Sequence, residues 1–270
     1  MRKLLLILFF CLISFNAVSQ VQPPDIAEIK RNGKLIVSMT SFDNLPFYGG
    51  TKDNMIGLDV EIAKKIAKML DVPVEFRRDA KSFGEVVDQV RNGEAHIALS
   101  KLSITGPRVN VVRFSTPYAK LKQAMIVNRL WLSANSRGRE PYDVIRNFDG
   151  PISFIKNSSY DTFARLNFPK AQYVPEENWN NIVEGVASGK YAAGFRDDLE
   201  IKKIAFERPQ LALSTKTVII ADTNDYIAAA VEWKSTHLLS IIDMVIRNEF
   251  NNIDVKRLME MYKAMKAQGQ

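Results

Sequence analysis

The sequence predicts an α/β protein of two similar lobes, one inserted into the other, and three observations carry that prediction. The order strand, helix, strand, helix, strand occurs once before Leu102 and again after residue 150. Consecutive strands separated by helices pair in parallel, each helix serving as the crossover. A long helical tail then follows the second run, with Leu238, Leu239, Ile242, Val245 and Ile246 as its apolar stripe, and it is expected to pack back on the first lobe.

The elements follow in order. Residues 25–32 read as a helix stopped by Gly33, and residues 34–39 as a strand. From Leu58, the apolar Ile62, Ile66, Met69 and Leu70 recur at helical spacing. Asp59 and Glu61 sit near the start of that helix and Lys64, Lys65 and Lys68 toward its end, the order that suits the helix dipole. A strand over 72–76, a helix over 83–92 closed by Gly93, and a strand over 95–99 complete the first unit. The second unit reads as strand 151–155, helix 159–166, strand 171–174, helix 180–188 closed by Gly189, and strand 191–195, with a returning strand over 218–221. The expected division is residues 20–127 with 218–270 for the first lobe and 128–217 for the second. Two chain crossings, near 125–128 and 216–220, make a two-strand hinge, and the carboxyl ends of two facing open sheets define a cleft.

The first residues predict export. Arg2 and Lys3, an apolar run over 4–13 and the small residues Ala17-Val18-Ser19 have the layout of a secretory signal cleaved after Ser19. The run is shorter than the roughly 20 residues that span a bilayer. Cys11, the only cysteine, lies inside the run and lacks the small residues of a lipoprotein site before it, so a mature chain would hold no thiol for disulfides or metal. The net charge of +7 falls by two when Arg2 and Lys3 leave, and basic residues alternate with acidic ones, which argues against a nucleic-acid partner. His96 and His237, the two histidines, lack companion ligands at helical spacing and read as structural. No cofactor or metal is expected, and no GxSxG, Gly-rich phosphate loop or HExxH motif is present.

Three motifs in series carry a family resemblance. Gly57-Leu58-Asp59-Val60-Glu61-Ile62-Ala63-Lys64 is followed by Gly93-Glu94-Ala95-His96-Ile97-Ala98, then by Leu102-Ser103-Ile104-Thr105-Gly106-Pro107-Arg108 with Phe114-Ser115-Thr116-Pro117-Tyr118. In this order and spacing they resemble the polar amino-acid-binding branch of the type II periplasmic solute-binding proteins, extracellular solute-binding family 3. The resemblance covers nearly all of the chain after the signal. It implies the type II periplasmic-binding-protein architecture, two Rossmann-like lobes with a central cleft, and a periplasmic receptor that hands a free L-amino acid to an inner-membrane ABC permease. It implies a monomer without enzymatic activity.

The resemblance also assigns roles. Arg108 would grip the ligand's α-carboxylate beside Ser103, as the planar guanidinium fork allows. Ser158 and Ser159 open a helix of the second lobe and would face the other side of that carboxylate. Asn157 replaces the family's glycine there, and Asn tolerates the left-handed backbone such a turn requires. Asp197, with Asp198 as competitor, would accept the α-ammonium. Phe83 and Asn44, the latter in the Phe42-Asp43-Asn44 loop, match positions that wall the side-chain pocket; Phe83 reads equally as core. Trp179 reads as cleft rim or helix staple. Lys101 departs from the family's small residue. It points to solvent, or turns inward to pair with an acidic group of the ligand. Two alternatives stay open. One is a periplasmic cyclohexadienyl dehydratase acting on prephenate or arogenate, with Glu176 or Glu177 as loosely placed acids. The other is a soluble sensory protein presenting its ligand to a receptor.

Overall fold

The computed structural model describes residues 22–269; the segment read as a secretory signal, residues 1–19, lies outside them. Alternating apolar residues place the strand Leu35–Thr40 at the heart of the first sheet, fully buried at Leu35, Val37 and Met39. Val74–Ala80 and Ile97–Ala98 pair with it in parallel on either side. Ala230–Val231 then joins antiparallel between Ile97–Ala98 and Arg113–Phe114. The helices Leu58–Met69 and Phe83–Arg91 are the crossovers, and they meet the sheet with Ile62, Ile66, Val86 and Val90.

The second sheet repeats the plan. Gln172–Glu176, Pro151–Ile155 and Ala193–Asp197 run parallel, and Gln123–Asn128 and Thr215–Ile219 complete it antiparallel. Its core is aromatic: Phe148, Phe168, Phe195 and Tyr160 contact one another in sequence, edge to face, with ring centroids 6.1, 5.3 and 4.9 Å apart. Each such side chain contributes about 1.5–3 kcal/mol on burial, so this lobe has a core of its own.

The strands Gln123–Asn128 and Thr215–Ile219 both belong to the second sheet, so the chain crosses a few residues outside the 128–217 span read from the sequence. The connection itself is a two-stranded ribbon, Ala119–Leu121 paired antiparallel with Asp225–Ile227. The tail forms Thr236–Glu249 and Val255–Ala267. The former packs on the first lobe, against Leu58–Met69 and Pro24–Asn32. The latter also reaches the second lobe, against the helix Asp198–Glu207, where Tyr262 and Lys266 meet Glu207. Among the described residues no helix is long and apolar enough to cross a membrane.

Candidate functional site

Gly57 sets up the first-lobe half. Its φ of +119° is open to glycine alone in practice, and a Cβ there would lie 2.3 Å from the Phe47 carbonyl oxygen. The helix it starts presents the buried Asp59, whose carboxylate accepts from Tyr118 Oη at 2.7 Å and from the Lys101 backbone N–H at 2.8 Å. Burial pushes the Asp59 pKa up to about 7 against the pull of those bonds. The anchored Lys101 adopts a left-handed backbone, φ +49°, unusual for a residue with a long side chain. That turn aims its side chain across the cleft.

Lys101 Nζ donates to Asp197 Oδ2 and to Glu200 Oε1, both at 2.8 Å, and the ammonium lies 5.3 Å from the Phe47 ring centroid. Burial works against the charge, and the two carboxylates outweigh it, so the lysine pKa is raised. Asp197 ends the strand Ala193–Asp197 and caps the helix Asp198–Glu207, its Oδ1 accepting from the Glu200 N–H at 3.1 Å. Burial also opposes ionisation of Glu200, but Lys101, Lys203 and Arg196 overcome it and hold the carboxyl well below the usual range. Lys203 Nζ further donates to Leu45 O of the first lobe at 2.9 Å. Two lysines thus tie the lobes together, one from each side.

A second group of contacts lies beside the first. Ser103 Oγ and Ser159 Oγ are 2.8 Å apart, one from each lobe, and Arg108 Nη1 donates to Ser103 O at 3.0 Å. Burial pushes the Arg108 pKa down to about 10, with Asp225 opposing the shift. Asp225 stands in the hinge ribbon and accepts from Tyr160 Oη of the second lobe at 3.0 Å; its Oδ1 is buried without a partner. Burial, then the charge of Asp197, push the Asp225 pKa up to about 6.

Between these groups lies a cavity of about 20 Å³, lined by Phe83, Lys101, Ser103, Arg108, Ser159 and Asp197 among others. This is room for about one water molecule. A wider cavity of about 330 Å³ adjoins it, sharing Arg196 and lined further by Asn44, Trp179, Glu200 and Lys203.

Several sequence expectations meet this geometry directly. Arg108, Ser103, Ser159, Ser158, Phe83, Lys101 and Asp197 all line the smaller cavity. Asp198 does not: it accepts from Lys122 N and Lys202 Nζ instead. The Ser158 hydroxyl is taken up by its cap, accepting from Tyr160 N and donating to Ile155 O. Asn157 has the left-handed φ of +57° that its place in the turn requires. Asn44 lies in the wider cavity, with Trp179. Lys101 follows neither of its two readings, for it is buried and pairs with the protein's own carboxylates. Asp197, expected to receive a ligand ammonium, accepts from Lys101 Nζ in this structure. Glu176 sits under Tyr191 Oη and beside Lys190, and the tyrosine hydrogen bond chiefly holds its pKa low. Glu177 lines only the wider cavity.

Glu200, Arg196, Tyr160 and Asp225 belong to the site and escaped the sequence reading. The spacing Asp197-x-x-Glu200 is a capping-box pattern and could have announced the helix that carries Glu200. Nothing local marks Asp225, which the hinge pairing brings in.

A model of the bacterial extracellular solute-binding proteins, family 3, matches residues 36–137. Over that stretch the chain is similar to this family. That stretch contains the Asp59 helix, Lys101, Ser103 and Arg108, which is the first-lobe half of the site. The membrane-bound lytic murein transglycosylase F of Saccharophagus degradans is 34% identical over 157 residues, 58% of this chain and 29% of that protein. The ABC transporter arginine-binding protein 1 of Escherichia coli is 20% identical over 170 residues, 63% of this chain and 65% of that protein. The chain therefore aligns with under a third of the first relative and just under two thirds of the second. Among solved structures, an amino acid ABC transporter substrate-binding protein of Streptococcus pneumoniae bound to L-arginine has a TM-score of 0.68. It is 25% identical, and the alignment covers 88% of this chain and 98% of that one. The family's two-lobed type II fold is the fold of this chain.

Proposed function

We propose that the chain is the exported, periplasmic solute-binding component of an ABC-type importer, closing its lobes over an amino acid or amino-acid derivative held by its carboxylate. One observation carries the reading: Ser103 and Ser159 converge from opposite lobes beside a half-buried Arg108, over a two-stranded hinge. Two hydroxyl groups and a guanidinium are a built receptor for a carboxylate. A solute touching both lobes favours the closed arrangement because only that arrangement satisfies contacts from both sides. The permease partner rests on the family resemblance, and the chain acts as a monomer.

Isothermal titration calorimetry of the purified chain against amino acids and their derivatives tests this. Arg108→Ala is expected to weaken whatever binds by at least 100-fold, and unchanged affinity rejects the reading.

One observation favours a second reading. A dehydratase on this fold needs a carboxyl that holds a proton inside the cavity. Glu176 and Glu177 do not line the smaller cavity, whereas Asp225 lines it and burial pushes its carboxyl up to about 6. Conversion of prephenate or arogenate by the wild type, lost in Asp225→Asn, would establish that activity.

A further inference from the structure

The smaller cavity is lined by three cations, Lys101, Arg108 and Arg196, and two carboxylates, Asp197 and Asp225. Glu200, just behind that lining, balances the count by accepting from Lys101 Nζ at 2.8 Å, so what discriminates is whether Asp197 is open to a ligand ammonium. Both oxygens of Asp197 already accept, Oδ1 from the Glu200 N–H and Oδ2 from Lys101 Nζ. Arg196 Nε stands 3.7 Å from the same Oδ2. A ligand ammonium arriving at Asp197 would meet two like charges within a few ångströms, in a site where burial strengthens their repulsion. Lys101 cannot swing aside freely, because its left-handed backbone is held by Asp59, its side chain is buried and its ammonium lies over the Phe47 ring.

An independent observation comes from the adjoining wider cavity. Asn44 Nδ2 and Trp179 Nε1 are buried donors without a partner, and both residues line it alongside Arg196 and Lys203. Unsatisfied buried donors call for acceptor oxygens. The carbonyl oxygen of a 2-oxo or N-acyl group would supply one.

We propose that Lys101 is a built-in counter-ion that takes the place of a ligand ammonium on Asp197, so that the cleft selects carboxylates with no free α-ammonium, such as N-acyl amino acids and 2-oxo acids. The inference rests on the solute-binding reading above and narrows its ligand class. Arg108, Ser103 and Ser159 hold the carboxylate as before. Lys101 makes the specificity by exclusion, a repulsive device rather than an added contact.

The test is a calorimetric and thermal-shift panel in which each common L-amino acid is compared with its N-acetyl and 2-oxo derivatives, on wild type and on Lys101→Ser. The wild type is expected to bind a derivative at least tenfold more tightly than its parent amino acid. Lys101→Ser, which frees Asp197, is expected to reverse that ranking. Lys101→Met, keeping the stem and losing the charge, replaces the serine variant should that variant not fold. A wild type that prefers the free amino acid, or a ranking that Lys101→Ser leaves in place, overturns this inference while the solute-binding reading stands. No binding of any panel member by either protein overturns both.

Discussion

Replacing Lys101 with methionine isolates the charge that joins the lobes. The substitution keeps a linear buried stem and removes an ammonium that makes two 2.8 Å contacts with carboxylates. Taking one partner from a buried ion pair leaves uncompensated charge and costs about 3–5 kcal/mol. Arg196 remains 3.7 Å from Asp197 and Lys203 remains 3.0 Å from Glu200, so the lower end applies. At roughly 2–4 °C per kcal/mol for a chain of this size, about 3 kcal/mol lowers Tm by about 6–12 °C. Differential scanning calorimetry of wild type, Lys101→Met, Asp197→Asn and the double variant reads the effect. Because the two side chains touch, the double variant is expected to lose less than the sum of the singles, by at least about 1 kcal/mol. A Lys101→Met protein melting within about 1 °C of wild type refutes the reasoning. The pair would then behave like an exposed ion pair, for which about 0–1 kcal/mol is usual.

Two further outcomes follow from the same network. The Asp59 carboxyl, raised by burial from its ordinary 3.8 to about 7, binds its proton more tightly folded than unfolded. It therefore favours the folded state on the acid side and loses that contribution, at most about 4 kcal/mol, as pH rises from about 4 to 7. Glu200, held below its ordinary range, acts in the opposite sense and withdraws support as pH falls below about 4.5. Melting temperature against pH should thus peak at about pH 4, and Asp59→Asn should flatten the decline above the peak; an unchanged slope contradicts the assignment. Tyr160→Phe removes the hydroxyl that Asp225 Oδ2 accepts across the hinge, leaving a buried carboxylate with both oxygens short of this support. The expected loss is about 1–3 kcal/mol, with a larger radius of gyration by small-angle scattering as the lobes part; an unchanged radius contradicts the latch role.

How far the sequence announced this depended on the range of the interactions. Helix crossovers were legible because their apolar spacing is local: of the stripe predicted from Leu58, the residues Leu58, Ile62, Ile66 and Leu70 are buried and Met69 at the helix end is exposed, and Gly33 caps its helix in the left-handed conformation. The strand Gln123–Asn128 was not, because all six of its residues are buried and no alternation marks it. In the site, Arg108, Ser103 and Ser159 stood out through a resemblance that encodes their spacing. Asp225 lies more than 100 residues from Ser103 in the chain, and only the return of the hinge strand brings it to the cavity. Lys101 was visible as an oddity because the family has a small residue there. Its partner was not, since the choice between solvent, ligand and Asp197 depends on a left-handed backbone that Asp59 imposes from 42 residues away.

The interlobe contacts set the terms on which a solute enters. Lys101 with Asp197 and Glu200, Lys203 with Leu45 O, Ser103 with Ser159 and Tyr160 with Asp225 all join one side of the hinge to the other. A cavity of about 20 Å³ admits nothing larger than water, so these contacts must break before a solute enters it, although Arg108 and Ser159 also line an open cavity of about 460 Å³ with Ser82, Asp88 and Asn157. If together they favour the closed arrangement by about 3 kcal/mol, the open one is populated at somewhat under 1%, and apparent affinity falls by about the same hundredfold factor. A solute offsets that only through bonds made in the closed form, and its carboxylate is the one group for which Arg108, Ser103 and Ser159 already converge. An ammonium would add nothing here, since the bond it could form with Asp197 is the one that Lys101 must first give up.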